Sequence, residues 1–368
     1  MPTIKTIVSR VTTAAAAVAL SAGLAAAEEK VLHVYNWVDY IGETTIADFQ
    51  NETGIKVVYD TYDASETVDA KLLAGNSGYD VLIHAGSFMP NLIKAGIFQE
   101  LDKSKLPNIK HMDPDIMATL EGWDPGNKFG VPYMWGTAGM TYNMTMIQER
   151  LPDGPYGSLD MIFKPELISK IADCGVTILD SPVDVIPMAL AYLGKDPNSN
   201  DKEDLAAVVE LFKPIREHIR TFDASQYLNT LPNSEQCAAM TWSGDYATAT
   251  WRASEAGIDI DLQYFMPETG FGAWFDVWAI PADAPHPENA HLWIDYMMRP
   301  EVIAAATNYT YYANANKAAT ELVSEDITGD PAIYPSADLL SKMWTAKPPS
   351  ARELKRRTRA WTKIKTGQ

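Results

Sequence analysis

Two cysteines and six histidines are all that 368 residues offer for thiol or metal chemistry. No HExxH or other paired-ligand spacing occurs, so no metal site is expected. The separation of Cys174 from Cys237 is wrong for a zinc cluster. In an oxidising compartment a disulfide is their expected state, and a catalytic Cys–His pair is the alternative that these residues leave open. Cationic residues are scarce too: 30 Lys and Arg against 48 Asp and Glu give a formal charge of −18. That balance argues against nucleic acid and anionic membrane surfaces, which need clustered Lys and Arg. It tolerates a cationic ligand, although many soluble proteins are acidic for solubility alone. There is no internal repeat, low-complexity tract or Gly/Ser tether, and past the N-terminus no stretch is apolar enough to cross a bilayer.

What the N-terminus does contain is a secretory pattern. Lys5 and Arg10 precede a small, apolar stretch over 11–24, and Ala25, Ala26 and Ala27 supply the small residues that signal peptidase reads before Glu28. The stretch is shorter than the roughly 20 residues that span a membrane. Residues 1–27 are therefore expected to be a cleaved signal peptide, leaving 341 residues and moving the formal charge to −20 as Lys5 and Arg10 are lost. That length exceeds one ordinary core and suits two lobes.

Along the chain, strand and helix patterns alternate. Residues 31–35, 55–59 and 79–83 read as strands. Between them 44–53 reads as a helix, with Ile46 and Phe49 three apart and Gly54 as its stop; Ser65 can cap a second helix that carries Val68 and Leu72 and ends at Gly75. This order predicts an α/β fold with a mostly parallel sheet. Ligands of such sheets sit beyond the carboxyl ends of strands, where Trp37, Asp39 and Tyr40 follow the first strand and Ala85, Gly86 and Ser87 the third. No glycine-rich phosphate loop follows the first strand, so the dinucleotide-binding version is disfavoured. A second alternating block covers about 139–263, with strands at 176–179 and 238–242 and a helix at 202–212. Beyond it come apolar segments at 262–266 and 274–280, a helix over 289–298 and a basic tail. With no flexible linker, the two blocks are expected to be joined by several short crossings that make a hinge and a cleft. The tail, 352–365, contains Trp361 and reads as a packed element with solvated or paired charges rather than a nucleic-acid patch.

Three clusters pair rings with acids: "NWVDY" at 36–40, "WSGDY" at 242–246 and "WFDVW" at 274–278. Each is placed at the end or beginning of a predicted strand beside the cleft. A ring face stabilises an ammonium by about 0.5 to 2 kcal/mol, and a carboxylate binds it through charge-assisted hydrogen bonds. Rings and acids in a dry site fit a slim molecule that is apolar in the middle and cationic at its ends. An amine-processing enzyme is the competing class. Against it, "WSGDY" lacks the glycine two places before Ser243 that a nucleophile elbow requires, and no metal spacing or cofactor loop is present.

From Tyr35 to Gly367 the chain resembles the polyamine-binding proteins of bacterial ABC importers, the periplasmic putrescine binders most of all. The resemblance rests on "YNWVDY" (35–40), "TGIKVVYD" (53–60), "LDKSKLP" (101–107), "VPYMWGT" (131–137), "YLGKDPNS" (192–199), "FDVWAIPADA" (275–284), "YANANKAAT" (312–320) and "RTRAWTKIKTG" (357–367). It implies a type II periplasmic-binding-protein fold of two α/β lobes, expected as 28–136 with 264–313 and 137–263 with 314–368. It also implies a periplasmic monomer that binds without chemistry or cofactor, closes on its ligand and docks on an inner-membrane permease. Trp37, Tyr40, Trp242, Trp274 and Tyr312 would form an aromatic box. Asp245 and Asp276 would meet the amine ends, Asp39 would contribute at one terminus, and Asp184 would stand where the family has a glutamate. Cys174 and Cys237 match a structural cysteine pair. Val38, Ala85 and Trp274 depart from the family, which has a small polar residue, a serine and a phenylalanine at these places. The departures leave the polyamine class intact, with putrescine first and spermidine, cadaverine or agmatine as alternatives. A receptor-docking polyamine sensor would use the same site.

Overall fold

The computed structural model describes residues 30–368; the expected signal segment and its cleavage site lie outside the described residues. Eleven strands among the described residues are β1 (Val31–Trp37), β2 (Lys56–Tyr62), β3 (Val81–Ala85), β4 (Gly130–Asn143), β5 (Val176–Leu179), β6 (Thr221–Asp223), β7 (Ala238–Trp242), β8 (Leu262–Phe265), β9 (Phe271–Ala279), β10 (Ala313–Asn314) and β11 (Met343–Thr345). Their order is β2-β1-β3-β9-β4-β7-β5-β6, with β8 and β10 on β4 and β11 on β9. β1 pairs in parallel with β2 and β3, and β5 with β6 and β7, as the alternating pattern predicts. The central strands β4 and β9 run antiparallel to their main neighbours.

β4 organises the molecule, and the sequence reading assigned it no strand. All fourteen of its residues are buried, so it lacks the polar alternation of a half-exposed strand. It also contains Pro132, which argues against an interior strand; the pairing with β9 slips between Pro132 and Trp135, the irregularity that accommodates the missing donor. Its first half, through Thr137, pairs with β9, and its second half, from Ala138, pairs with β7 and β8. The two apolar cores divide at the same point: the first includes Val131 to Trp135, the second begins with Ala138.

The chain crosses between these cores within β4, between β8 and β9, and again between β11 and the C-terminal helix Ala351–Thr366. Ala319, Val323, Ile327 and Ile333 pack in the first core, although the sequence division put 314–368 in the second lobe. Trp361 and Ile364 pack in the second. The C-terminal helix opens on a reciprocal Ser350–Glu353 capping box and closes on Gly367 at φ 72.

Local chemistry explains the flanking elements. The first helix, Thr45–Thr53, buries Phe49 edge-on to Trp293, and Gly54 (φ 69) ends it by donating to Gln50 O. The next helix, Ser65–Leu73, starts one residue earlier than expected. Ser65 lies inside it and Ala64 occupies the cap without a side-chain bond, because Val68 and Leu72, both buried, set its position. No helix among the described residues is long and apolar enough to cross a membrane.

Cys174 and Cys237 form a disulfide across a 63-residue separation within the second core. Closing a loop of that size stabilises a fold by about 4 kcal/mol in the chain-entropy picture. A Cys174→Ala/Cys237→Ala protein is expected to unfold several degrees earlier in a thermal melt, and an unchanged midpoint would show that the bond contributes nothing.

Candidate functional site

A cavity of about 180 Å³ lies where β4 passes from one core to the other, and all eleven residues named above line it: Trp37, Val38, Asp39, Tyr40, Ala85, Asp184, Trp242, Asp245, Trp274, Asp276 and Tyr312. Register explains much of this. Gly136 of β4 is opposite Trp274, and two residues on Ala138 is opposite Trp242, so one strand positions indoles from both lobes. A side chain at Gly136 would meet the Trp274 ring at 2.7 Å, which is why the close approach needs glycine there. Ala85 ends β3 opposite Asp276 of β9. Trp37 ends β1 and Trp242 ends β7 as expected, whereas Trp274 and Asp276 lie inside β9.

The turn after β1 is tied down by Asn36. Fully buried, it donates to Tyr40 O at 2.8 Å and to Tyr59 Oη at 2.9 Å. This folds residues 37–40 back over the cavity with Asp39 at φ 53, a conformation that aspartate tolerates. Tyr40 then meets Tyr133 and Tyr312 edge-on, at 5.4 and 5.2 Å between ring centres, and Tyr312 meets Trp274 at 5.4 Å. Trp37 packs on Tyr62 at 4.4 Å. Four of the five expected box rings thus come from the first lobe, and Trp242 faces them from the end of β7.

The acids fall into two sets. Asp184, Asp245 and Asp276 line the cavity interior, and the hydrogen-bond donors to the first two are neutral groups. Asp184, in the first turn of the helix Pro182–Tyr192, accepts from Ser181 Oγ at 2.6 Å and Trp242 Nε1 at 3.2 Å. Asp245, in the first turn of the helix Ser243–Glu255, accepts from Tyr227 Oη at 2.6 Å and from Tyr312 Oη at 2.5 Å. The second of these bonds joins the lobes. Asp276 is approached by Tyr40 and Trp37, whose Oη and Nε1 close no hydrogen bond of normal geometry with it or any other group. Burial pushes all three carboxyls up, Asp245 to about 6 and Asp276 to about 8, against the opposing effect of the nearby donors; Asp184 adds to the rise at Asp276. Tyr40, Tyr227 and Tyr312 are raised well above the ordinary phenol range, chiefly by burial, and remain protonated donors.

Two acids at the rim are paired with cations of the chain. Asp39 faces Arg252 at 3.3 Å, an ion pair that also joins the lobes, and Asp180 faces Lys365 at 2.7 Å. No Lys or Arg lines the cavity itself. Among the described residues no set of three or more His, Cys, Asp or Glu is arranged to hold a metal ion. A lining of rings and carboxylates without Lys or Arg is chemically suited to holding a cation.

Sequence reasoning missed Asp63, Trp123, Asp180, Ser181 and Trp344, all of which line the cavity, as does Ser87, which it had placed beyond the end of the third strand. The rule that flagged the ends of the first and third strands would have flagged Asp180 and Ser181, which follow β5 directly. Trp123 and Trp344 had no such signal. Trp123 arrives from a turn held by its Nε1 bond to Ala346 O (2.8 Å), and Trp344 comes from a three-residue strand near the end of the chain.

Residues 44–335 match the family model described as bacterial extracellular solute-binding protein. The chain is 48% identical over 349 residues to the putrescine-binding periplasmic protein SpuD of Pseudomonas aeruginosa (strain UCBPP-PA14), covering 94% of this chain and 95% of that one. It is 45% identical over 357 residues to the putrescine-binding periplasmic protein PotF of Escherichia coli K12, covering 96% of each. Among solved structures, the spermidine/putrescine ABC transporter substrate-binding protein of Streptococcus pneumoniae superposes with a TM-score of 0.76 at 26% identity, covering 92% of this chain and 99% of that chain.

The Tyr312 hydroxyl holds the charged form of Asp245, so its removal must raise that carboxyl. In Tyr312→Phe, an NMR titration of Asp245 is expected to show a midpoint above its value of about 6 in the parent protein. An unmoved midpoint would mean that the hydroxyl does not support the carboxylate.

Proposed function

Because the chain belongs to the bacterial extracellular solute-binding protein family, we propose that its cleft captures a polyamine, putrescine first, and that the loaded protein delivers it to an inner-membrane ABC permease. It is a binding protein and not an enzyme. The observation that carries the ligand is the set of three deep carboxylates, Asp184, Asp245 and Asp276, in an aromatic cavity with no Lys or Arg in its wall.

Burying a carboxylate without a counter-ion costs several kcal/mol per charge. A diammonium ion offsets that cost at two or more acids at once, while its methylenes lie against Trp37, Tyr40, Trp242, Trp274 and Tyr312. An anionic or neutral solute would leave the carboxylates uncompensated. Ligand held between Asp276 of the first lobe and Asp184 and Asp245 of the second contacts both halves, and so favours the closed arrangement by its differential affinity. Valine at 38 and alanine at 85 offer no hydroxyl, so contacts at these places are apolar, and the indole of Trp274 fills more of the floor than a phenyl ring would. The cavity has room for roughly a dozen water-sized groups at ~15 Å³ each. That volume admits both a diamine and a triamine, so size does not choose between them. A complete cleft within one chain supports action as a monomer, and the acidic surface supports a role away from nucleic acid. The periplasmic relatives support a periplasmic location, with the signal peptide cleaved after Ala27.

A thermal-shift panel with putrescine, cadaverine, agmatine, spermidine and spermine tests the class. Midpoints should rise with ligand concentration over dissociation constant, and a flat response to all five amines would overturn the reading. Asp245→Asn removes a charged acceptor and should weaken putrescine by roughly ten- to a hundredfold, equivalent to about 1.5–3 kcal/mol, without lowering the unliganded midpoint.

Capture should also release protons. Unliganded Asp276, with a pKa of about 8 and with Asp184 and Tyr40 facing it, is mostly protonated at pH 7. An arriving ammonium lowers that pKa, so affinity rises with pH from 6 to 8, by about tenfold or more. Asp245, at about 6 and facing Tyr227, Tyr312, Arg252 and Asp39, contributes at the lower end. Calorimetry in buffers of different ionisation enthalpy measures the released protons, and a pH-independent affinity would rule out the exchange.

A further inference from the structure

We propose that Lys365 is a specificity determinant: from the last turn of the C-terminal helix its ammonium occupies the rim carboxylate Asp180, denying that acid to the third ammonium of a longer polyamine and biasing the cleft toward diamines. The inference rests on the polyamine reading above and deepens it.

Asp180 directly follows β5 and lines the cavity. Its side chain is one-third exposed, which puts it at the mouth rather than the floor. Both carboxylate oxygens are taken by the C-terminal helix: Oδ1 accepts from Trp361 Nε1 at 2.8 Å and Oδ2 from Lys365 Nζ at 2.7 Å. The support is rigid. Trp361 is buried in the second core, edge-on to Phe222 at 5.4 Å, and the Asp180 backbone N–H donates to Asp223 O. Lys365 lies two residues before the Gly367 cap, where the helix dipole favours a cation.

A lysine side chain is a primary ammonium on a four-methylene stem, the same chemistry as one end of the proposed ligand. At Asp180 the chain therefore supplies its own ammonium. Asp184 and Asp245 accept hydrogen bonds only from neutral donors, Asp276 has only neutral groups approaching it, and all three stay available to a dication. A third charge extending toward this part of the mouth meets an acid already neutralised. Asp63, also at the rim, is exposed, and a charge contact in water is worth little.

The test is calorimetry with putrescine and spermidine on the parent protein, Lys365→Met, Lys365→Arg and the double variant Asp180→Asn/Lys365→Met, at low and at high salt. Lys365→Met is expected to raise spermidine affinity relative to putrescine by about fivefold, the size of a partly exposed charge contact. The gain should shrink in high salt and vanish in the double variant, and Lys365→Arg should keep the parent ratio. If all proteins bind both amines with an unchanged ratio, or if the two affinities fall together, the ion pair merely fastens the helix and the proposal is overturned. If the parent binds neither amine, the polyamine reading itself fails.

Discussion

Three carboxylates set into an apolar cavity with no Lys or Arg in its wall are the condition to which the rest of this molecule responds. Each would lower its energy by taking up a proton or by gaining an ammonium partner. The neutral donors around them, two phenols at Asp245 and a hydroxyl and an indole at Asp184, reduce the cost without cancelling the charge. Arginine or lysine in their place would stabilise the unliganded cavity and abolish its appetite for a cation. The site is thus kept electrostatically incomplete, and in the proposed function this incompleteness is the source of binding free energy.

That condition needs a scaffold that brings acids from separate halves within reach of one small ligand. β4 provides it by pairing with strands of both lobes, so that indoles from β9 and β7 are placed two residues apart along one strand. The Tyr312–Asp245 hydrogen bond and the Arg252–Asp39 ion pair join the lobes beside the same cavity. Lobe contacts and the cavity lining therefore share residues, and in the proposed function closure and capture are one equilibrium. At the rim the opposite policy holds for Asp39 and Asp180, which are matched with Arg252 and Lys365.

Much of the site was legible because strand ends are legible. Trp37, Ala85 and Trp242 terminate strands whose apolar runs mark them, and ligand positions in such sheets follow the carboxyl ends. Tyr312, Asp184 and the roles of the acids came from resemblance and not from pattern, since nothing local distinguishes an aspartate in the first turn of a helix from an ordinary first-turn acid. β4 escaped because a strand buried on both faces shows no alternation and carries Pro132. The course of the chain after residue 314 escaped because small helical turns around Ile327 and Ile333 can pack on either core.

The sequence by itself determined an acidic chain with a secretory pattern and two α/β blocks, rich in rings and acids at strand ends, because these follow from composition and from local periodicity. Which acids lie bare and which are matched was decided only in three dimensions. Asp180 and Lys365 are far apart in the chain, as are Asp39 and Arg252, and an ion pair across such separations depends on how helices dock on sheets. The difference between an attracting carboxylate and a silent one is a matter of distance to the nearest cation, and distance is a property of the fold.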